Sequence, residues 1–235
     1  MVGGIGNPSY EMGGDGMAVS AWNREPPAGF RGLREDRPVR VYWRHLPHWR
    51  QDGATYFVTF RLGDSLPRSK LRELERIKRD WANQRGIGGT DWQSVLPRHV
   101  APQHYSGLAR TLMAKVEGWL DEGMGECWLA RREVAEMVAE GLRYFDNEQY
   151  ELGCYVVMPN HVHAVLRPLD SPGLSLEKIL QSRKRRTSRG INAIVGRSGP
   201  LWQEESYDRI IRDEEHLHRC IQYVGANPAK AGIRP

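Results

Sequence analysis

The spacing of apolar residues changes period several times along the chain. Ala54 to Phe60 (ATYFVTF) is dense in β-branched and aromatic residues and is opened by Asp52-Gly53, which predicts a strand. Asp64-Ser65-Leu66-Pro67 then has the makings of a helix start, with a capping side chain and a proline near the first turn. Leu71, Leu74, Ile77 and Trp81 follow at helical spacing, so a helix is predicted to about Arg85. Gly86 to Pro102 reads as a loop or insertion. A second helix fits Ser106 to Asp121, with Leu108, Leu112, Val116 and Trp119 on one face, and a third runs from about Arg131 to Phe145. Leu152 to Met158 and His161 to Arg167 predict two strands joined by a turn at Met158-Pro159-Asn160. A helix over Ser175 to about Val195 and a short strand around Ile210-Ile211 come next. Asp213-Glu214-Glu215 opens a last helix with acidic residues where the helix dipole favours them. That helix is expected to end near Asn227, because Pro228 disfavours the α conformation in the residue before it.

The order strand, helices, strand, strand, helix, strand, helix predicts an α+β fold. It is a ferredoxin-like (split βαβ) antiparallel sheet with helices on one face, an enlarged first crossover and an extra C-terminal helix. Residues 1–37, rich in Gly, Pro and charge, read as a flexible leader, and residues 38–235 as one domain.

Charge and cysteine content narrow the picture only a little. Lys and Arg number 34 against 29 Asp and Glu, an excess that permits a polyanionic partner without requiring one. Cys127, Cys154 and Cys220 are far apart and form no CxxC pair, which argues against a zinc knuckle or a disulfide framework. No stretch reaches the ~20 apolar residues of a membrane span, and the start carries no secretory pattern, so a cytoplasmic protein is the expectation.

His161-Val162-His163 carries the first chemistry. Side chains alternate faces along a strand, so the two imidazoles share a face and offer half of a site for a divalent metal. His216 and His218 have the same spacing but fall in the last helix, where residues two apart diverge, and are expected to have no ligand role. Tyr223 and Asn227, four apart, share a helical face: a phenolic nucleophile and an amide oxygen that could complete a metal shell without adding charge. Arg183-Lys184-Arg185-Arg186-Thr187-Ser188-Arg189 places five cations in seven residues between these motifs. Together with Arg209 and Arg212 it offers phosphate contacts, and Trp202 and Tyr207 add aromatics able to stack an unpaired base.

The stretches YELGCYVVMPNHVHAVLRP and GPLWQEESYDRIIRDEEHLHRCIQYVGANPAKAG resemble the REP-associated tyrosine transposases, single-tyrosine members of the HUH family. The resemblance covers roughly Val41 to Ile233 and is most specific in the last third. It implies a ferredoxin-like fold, His161 and His163 as metal ligands, Tyr223 as nucleophile and Asn227 as the third ligand. It also implies Mg²⁺ or Mn²⁺ as cofactor and single-stranded DNA hairpins as partner, with monomer or homodimer undecided. The activity implied is single-strand cutting and strand transfer through a 5′-phosphotyrosine. Gly225, inside the helix that carries Tyr223, departs from what a rigid catalytic helix would favour. Three other readings compete: a hairpin-binding regulator that no longer cuts, an RNA-binding module, and a metallohydrolase that activates water.

Overall fold

Strand formation around the 54–60 run follows its composition. In this computed structural model, which describes residues 22–44, 47–86 and 102–230, Tyr56–Arg61 is the buried strand β4. Three shorter strands precede it: β1 (Trp22–Asn23), β2 (Arg40–Trp43) and β3 (Pro47–Arg50). Helices α1 (Arg68–Asn83) and α2 (Pro102–Asp121), a 3₁₀ turn at Trp128–Ala130 and α3 (Arg132–Arg143) make up the long crossover. Then come β5 (Tyr150–Val157), β6 (His161–Pro168), α4 (Leu176–Val195), β7 (Tyr207–Ile210) and α5 (Glu214–Lys230). The insertion expected at Gly86 to Pro102 lies almost wholly outside the described residues, as do residues 1–21.

The main sheet has the order β1-β5-β6-β4-β7, with every neighbour antiparallel. β4 and β5 flank β6, and β6 and β7 flank β4, which is the doubled split βαβ of a ferredoxin-like α+β fold. Its alternation sorts the residues by face. Tyr56, Val58, Phe60, Val162, Ala164 and Leu166 join α3 and α4 in one core. Phe57, Cys154, Val156 and Val165 face the other way and pack under Leu217, Cys220 and Val224 of α5.

Four expectations are corrected. The enlarged crossover does not stay on the α3/α4 face. Leu74 of α1 and Leu108, Leu112, Val116 and Trp119 of α2 bury one another against Tyr207, whose register partner Thr59 lies on the α5 side. Residues 22–37 are not a free leader: β1 extends the sheet beside β5, and Pro27 is buried. Gly153 leaves the room for this, since a Cβ there would stand 2.6 Å from Pro27 Cδ. The hairpin β2–β3 has no counterpart in the predicted order. Finally, α5 continues through Pro228 to Lys230. Proline removes one hydrogen bond from the helix, but the fully buried Val224 and Asn227 hold this last turn against the domain.

Candidate active site

β6 and the turn before it build the site. Met158 N–H donates to the His161 carbonyl at 2.8 Å and closes the tight Pro159-Asn160 turn, so His161 starts the strand facing α5 with His163 two residues on. Both imidazoles are fully buried, and their Nε2 atoms lie 3.0 Å apart.

The surroundings set the tautomers. Asn160 Nδ2 donates to the Leu120 and Met124 carbonyls, so its Oδ1 is the atom that meets His161 Nδ1 at 2.7 Å. That ring nitrogen must therefore carry the hydrogen, which leaves a bare lone pair on His161 Nε2. His163 Nδ1 meets Thr59 Oγ1 at 2.8 Å, and this hydroxyl can donate or accept, so His163 is free to present either form of Nε2. Burial pulls the His161 pKa down to about 3, which keeps the ring neutral and competent as a ligand at any physiological pH. Asn160 and Thr59 are thus supporting residues. The sequence offered Asn160 only as a turn residue and Thr59 only as a strand former.

Tyr223 sits on α5 directly over this pair. Its ring packs edge-on against His163 with centroids 5.1 Å apart and edge-on against Phe57 at 5.9 Å. Phe57 stacks on His163 from below and carries the Arg209 guanidinium on its face. The hydroxyl is buried. Burial, and after it the field of Glu117 on α2, push the phenol well above the usual tyrosine range; contact with Asn227 and the charge of Arg209 act the other way. Asn227, one turn along the same helix, is fully buried, and neither its amide oxygen nor its nitrogen makes a well-formed hydrogen bond among the described residues. A buried, unsatisfied amide costs roughly 1–3 kcal/mol unless something pairs with it.

The residues fit a divalent metal. Two imidazole nitrogens 3.0 Å apart match neighbouring ligands of one ion at metal–nitrogen distances of about 2.1 Å. Among the described residues no group of three His, Cys, Asp or Glu side chains is placed to hold an ion. The fully buried Asn227 amide, on the helix above the pair, offers a neutral oxygen of the kind that could complete the shell.

Helical period divides the basic run. Arg185, Arg186 and Arg189 are exposed on α4, with the Arg186 guanidinium over the Tyr144 ring. Arg183 and Lys184 turn inward. Arg183 lies over Phe145 and donates to the Gly141 carbonyl, while Lys184 Nζ donates to the Gln203 and Glu204 carbonyls. The phosphate-contact expectation is therefore corrected for Arg183, which is a packing cation between α3 and α4. Trp202 is corrected too: its indole N–H donates to Thr187 Oγ1 and its ring meets Phe60 edge-on in the core, so it is no open stacking platform. Arg209 joins the Tyr223 site as described, and Arg212 is exposed beyond β7. His216 lies away from the pair, where its Nδ1 accepts from Arg212 N–H.

Gly225 also acquires a reason. A Cβ there would come within 2.7 Å of Arg24 Nε, and Arg24 Nη2 donates to the Gly225 carbonyl at 3.2 Å. The N-terminal segment thus lies against the helix that carries Tyr223.

No helix among the described residues is long and apolar enough to cross a membrane. No family model matches the sequence, and no curated protein matches it. Among solved structures, the chain is similar to one described as a REP-associated tyrosine transposase bound to a REP hairpin. The identity is 16%, the TM-score 0.38, and the match covers 82% of this chain and 74% of that one.

Proposed function

We propose that this chain is a metal-dependent endonuclease and strand transferase for single-stranded DNA, with Tyr223 as its nucleophile. One observation carries the reading: two buried imidazoles with converging Nε2 atoms lie directly beneath a tyrosine whose helical neighbour is a fully buried asparagine. A structural core rarely gathers so many polar side chains out of water, because burying each one costs its hydration.

His161, His163 and Asn227 would hold Mg²⁺ or Mn²⁺. When bound, the ion supplies Lewis-acid polarisation of the scissile phosphate and orients it. Asn160 fixes the His161 tautomer so that its Nε2 lone pair would face the ion, and Thr59 orients the His163 ring beside it. The Tyr223 oxygen attacks phosphorus and gives its proton to solvent. The bond from phosphorus to the 3′ oxygen breaks, and that oxygen takes up a proton, leaving a 3′-OH and a 5′-phosphotyrosine. Because the new ester conserves the phosphodiester's bond energy, a 3′-OH can reverse the step onto another strand. Phe57 and His163 hold the tyrosine ring in place, and Arg209 beside it offsets negative charge. The exposed Arg185, Arg186, Arg189 and Arg212 would contact phosphates further along a hairpin substrate.

The test is a denaturing gel of the protein with a labelled single-stranded hairpin oligonucleotide in Mg²⁺ or Mn²⁺. The expected result is a covalent, metal-dependent adduct that Tyr223→Phe abolishes and that His161→Ala or His163→Ala suppresses. An adduct that survives Tyr223→Phe moves the nucleophile to another residue. Hairpin binding with no adduct in either metal leaves only the binding-protein reading.

A further inference from the structure

Beside the histidine pair lies a second polar site that the chemistry above does not use. Arg61 is the register partner of His161 across β4 and β6, so the two side chains stand on the same face of the sheet. Arg61 is only 2% exposed, an uncommon position for a guanidinium. One terminal nitrogen donates to the Leu62 carbonyl and to Ser65 Oγ, both at 3.2 Å. Its Nε–H has no hydrogen-bond partner among the described residues. Burial lowers the Arg61 pKa, and the charge of Tyr207, a hydrogen bond with its hydroxyl and the charges of Asp64 and Glu205 only partly offset it.

That guanidinium lines a cavity of about 380 Å³ between β7 and α1, together with Arg72, Lys78, Arg79, Glu75, Glu205 and Tyr207. The two carboxylates in the lining are already matched, Glu75 to Lys78 Nζ at 2.6 Å and Glu205 to His48 Nε2 at 2.8 Å. The charges of Arg61, Arg72 and Arg79 are left in excess. A buried cation whose Nε–H lacks a partner among the described residues, two further arginines at the rim and a cavity that begins at the register partner of His161 together describe a receptor for an oxyanion. An arginine fork suits phosphate geometry well.

We infer that this cavity is a phosphate subsite that seats a backbone phosphate neighbouring the one at His161 and His163, with Arg61 at its base and Arg72 and Arg79 at its rim. The inference rests on the DNA reading for the identity of its ligand. A subsite here would hold the strand on both sides of the reacting linkage and so bring one phosphate into register with Tyr223.

The experiment measures equilibrium binding of a single-stranded hairpin oligonucleotide over a salt series, without added metal, to wild type and Arg72→Gln/Arg79→Gln. Both arginines are exposed, so this variant keeps the fold, which an unchanged thermal melt verifies. Losing one phosphate contact reduces the slope of log K against log[salt] by about 0.7. In addition, neutral methylphosphonate linkages are placed singly along the strand. One such linkage is expected to weaken wild-type binding and to have no effect on the variant. Arg61→Lys, which keeps the charge but loses the fork, is expected to weaken binding at that same linkage. An unchanged slope, or no linkage whose effect depends on the arginines, overturns the subsite even if the Tyr223 adduct forms. A reduced slope with no adduct in the gel experiment keeps the subsite and removes the tyrosine chemistry. No binding of the oligonucleotide at all overturns both.

Discussion

His48 gives the sharpest quantitative prediction, because it bridges two carboxylates inside the protein. It lies on β3 with its side chain 4% exposed, Nδ1 at 2.7 Å from Asp208 Oδ1 and Nε2 at 2.8 Å from Glu205 Oε1. Tyr42 stacks on the ring, and Arg50, ion-paired to Asp208 and to Glu177, is the nearby cation. Burial alone would lower the His48 pKa, but the hydrogen bonds and charges of Asp208 and Glu205 outweigh it and raise the value from 6.5 to about 9. In the unfolded chain the ring titrates near ~6.5. The folded form therefore holds its proton more tightly, and the stabilisation is complete below pH ~6.5 and lost as pH rises through about 9. Across that window stability falls by up to about 1.4 kcal/mol per pH unit, amounting to about 3 kcal/mol in all. Below the window, His161 and His216, whose pKa values burial lowers to about 3 and about 4, make stability fall again as acid favours their protonated unfolded forms. Urea unfolding at intervals from pH 5 to 10 should thus give a maximum near pH ~6.5. His48→Gln should cost about 3 kcal/mol at pH 6 and flatten the alkaline limb, so that the two curves converge near the top of the range. A flat wild-type curve between neutral pH and pH 9, or an alkaline slope that survives the substitution, would refute the charged bridge.

Three further variants separate structural cations from exposed ones and test the N-terminal contact. Arg183→Ala should destabilise the protein by about 2 kcal/mol through loss of the Phe145 and Gly141 contacts. Arg185→Ala/Arg189→Ala should stay within about 0.5 kcal/mol of wild type yet weaken DNA binding; urea unfolding and oligonucleotide titration read both, and the reverse pattern would return Arg183 to the DNA-contacting set. Gly225→Ala should displace the Arg24 guanidinium while gaining up to about 1 kcal/mol of helix propensity. Faster amide exchange over residues 22–27 at near-constant global stability is the expected signature, and unchanged protection there would show that the glycine makes no room for the segment.

The elements that their own residues determine were legible in the sequence. β4 and β6 are dense in β-branched and apolar residues, α3 buries an unbroken apolar stripe, and α1 and α4 carry apolar stripes interrupted by Lys78 and by Arg183 and Lys184, so local pattern and tertiary burial largely agree. His161 and His163 could be placed on one face because strand alternation follows from backbone geometry alone, and Tyr223 with Asn227 likewise from the helical repeat. What those rules cannot supply is the partner across space. That Asn160 turns its oxygen to His161, or that Arg61 stands next to that histidine, depends on the packing of α2 and on the β4–β6 register. Burial decided the roles of the basic run: five cations in sequence became two inward and three outward, because α3 and Gln203-Glu204 cover one side of α4. The hairpin β2–β3 and the sheet edge at Trp22 escaped notice for the same reason. Short strands with mixed composition have little intrinsic preference, and partners far along the sequence, among them His48–Asp208, Arg50–Glu177 and Trp22–Val156, hold them in place. Sequence thus determined which side chains share a face, while the tertiary structure alone decided which of them meet, because that depends on contacts between residues far apart in the chain.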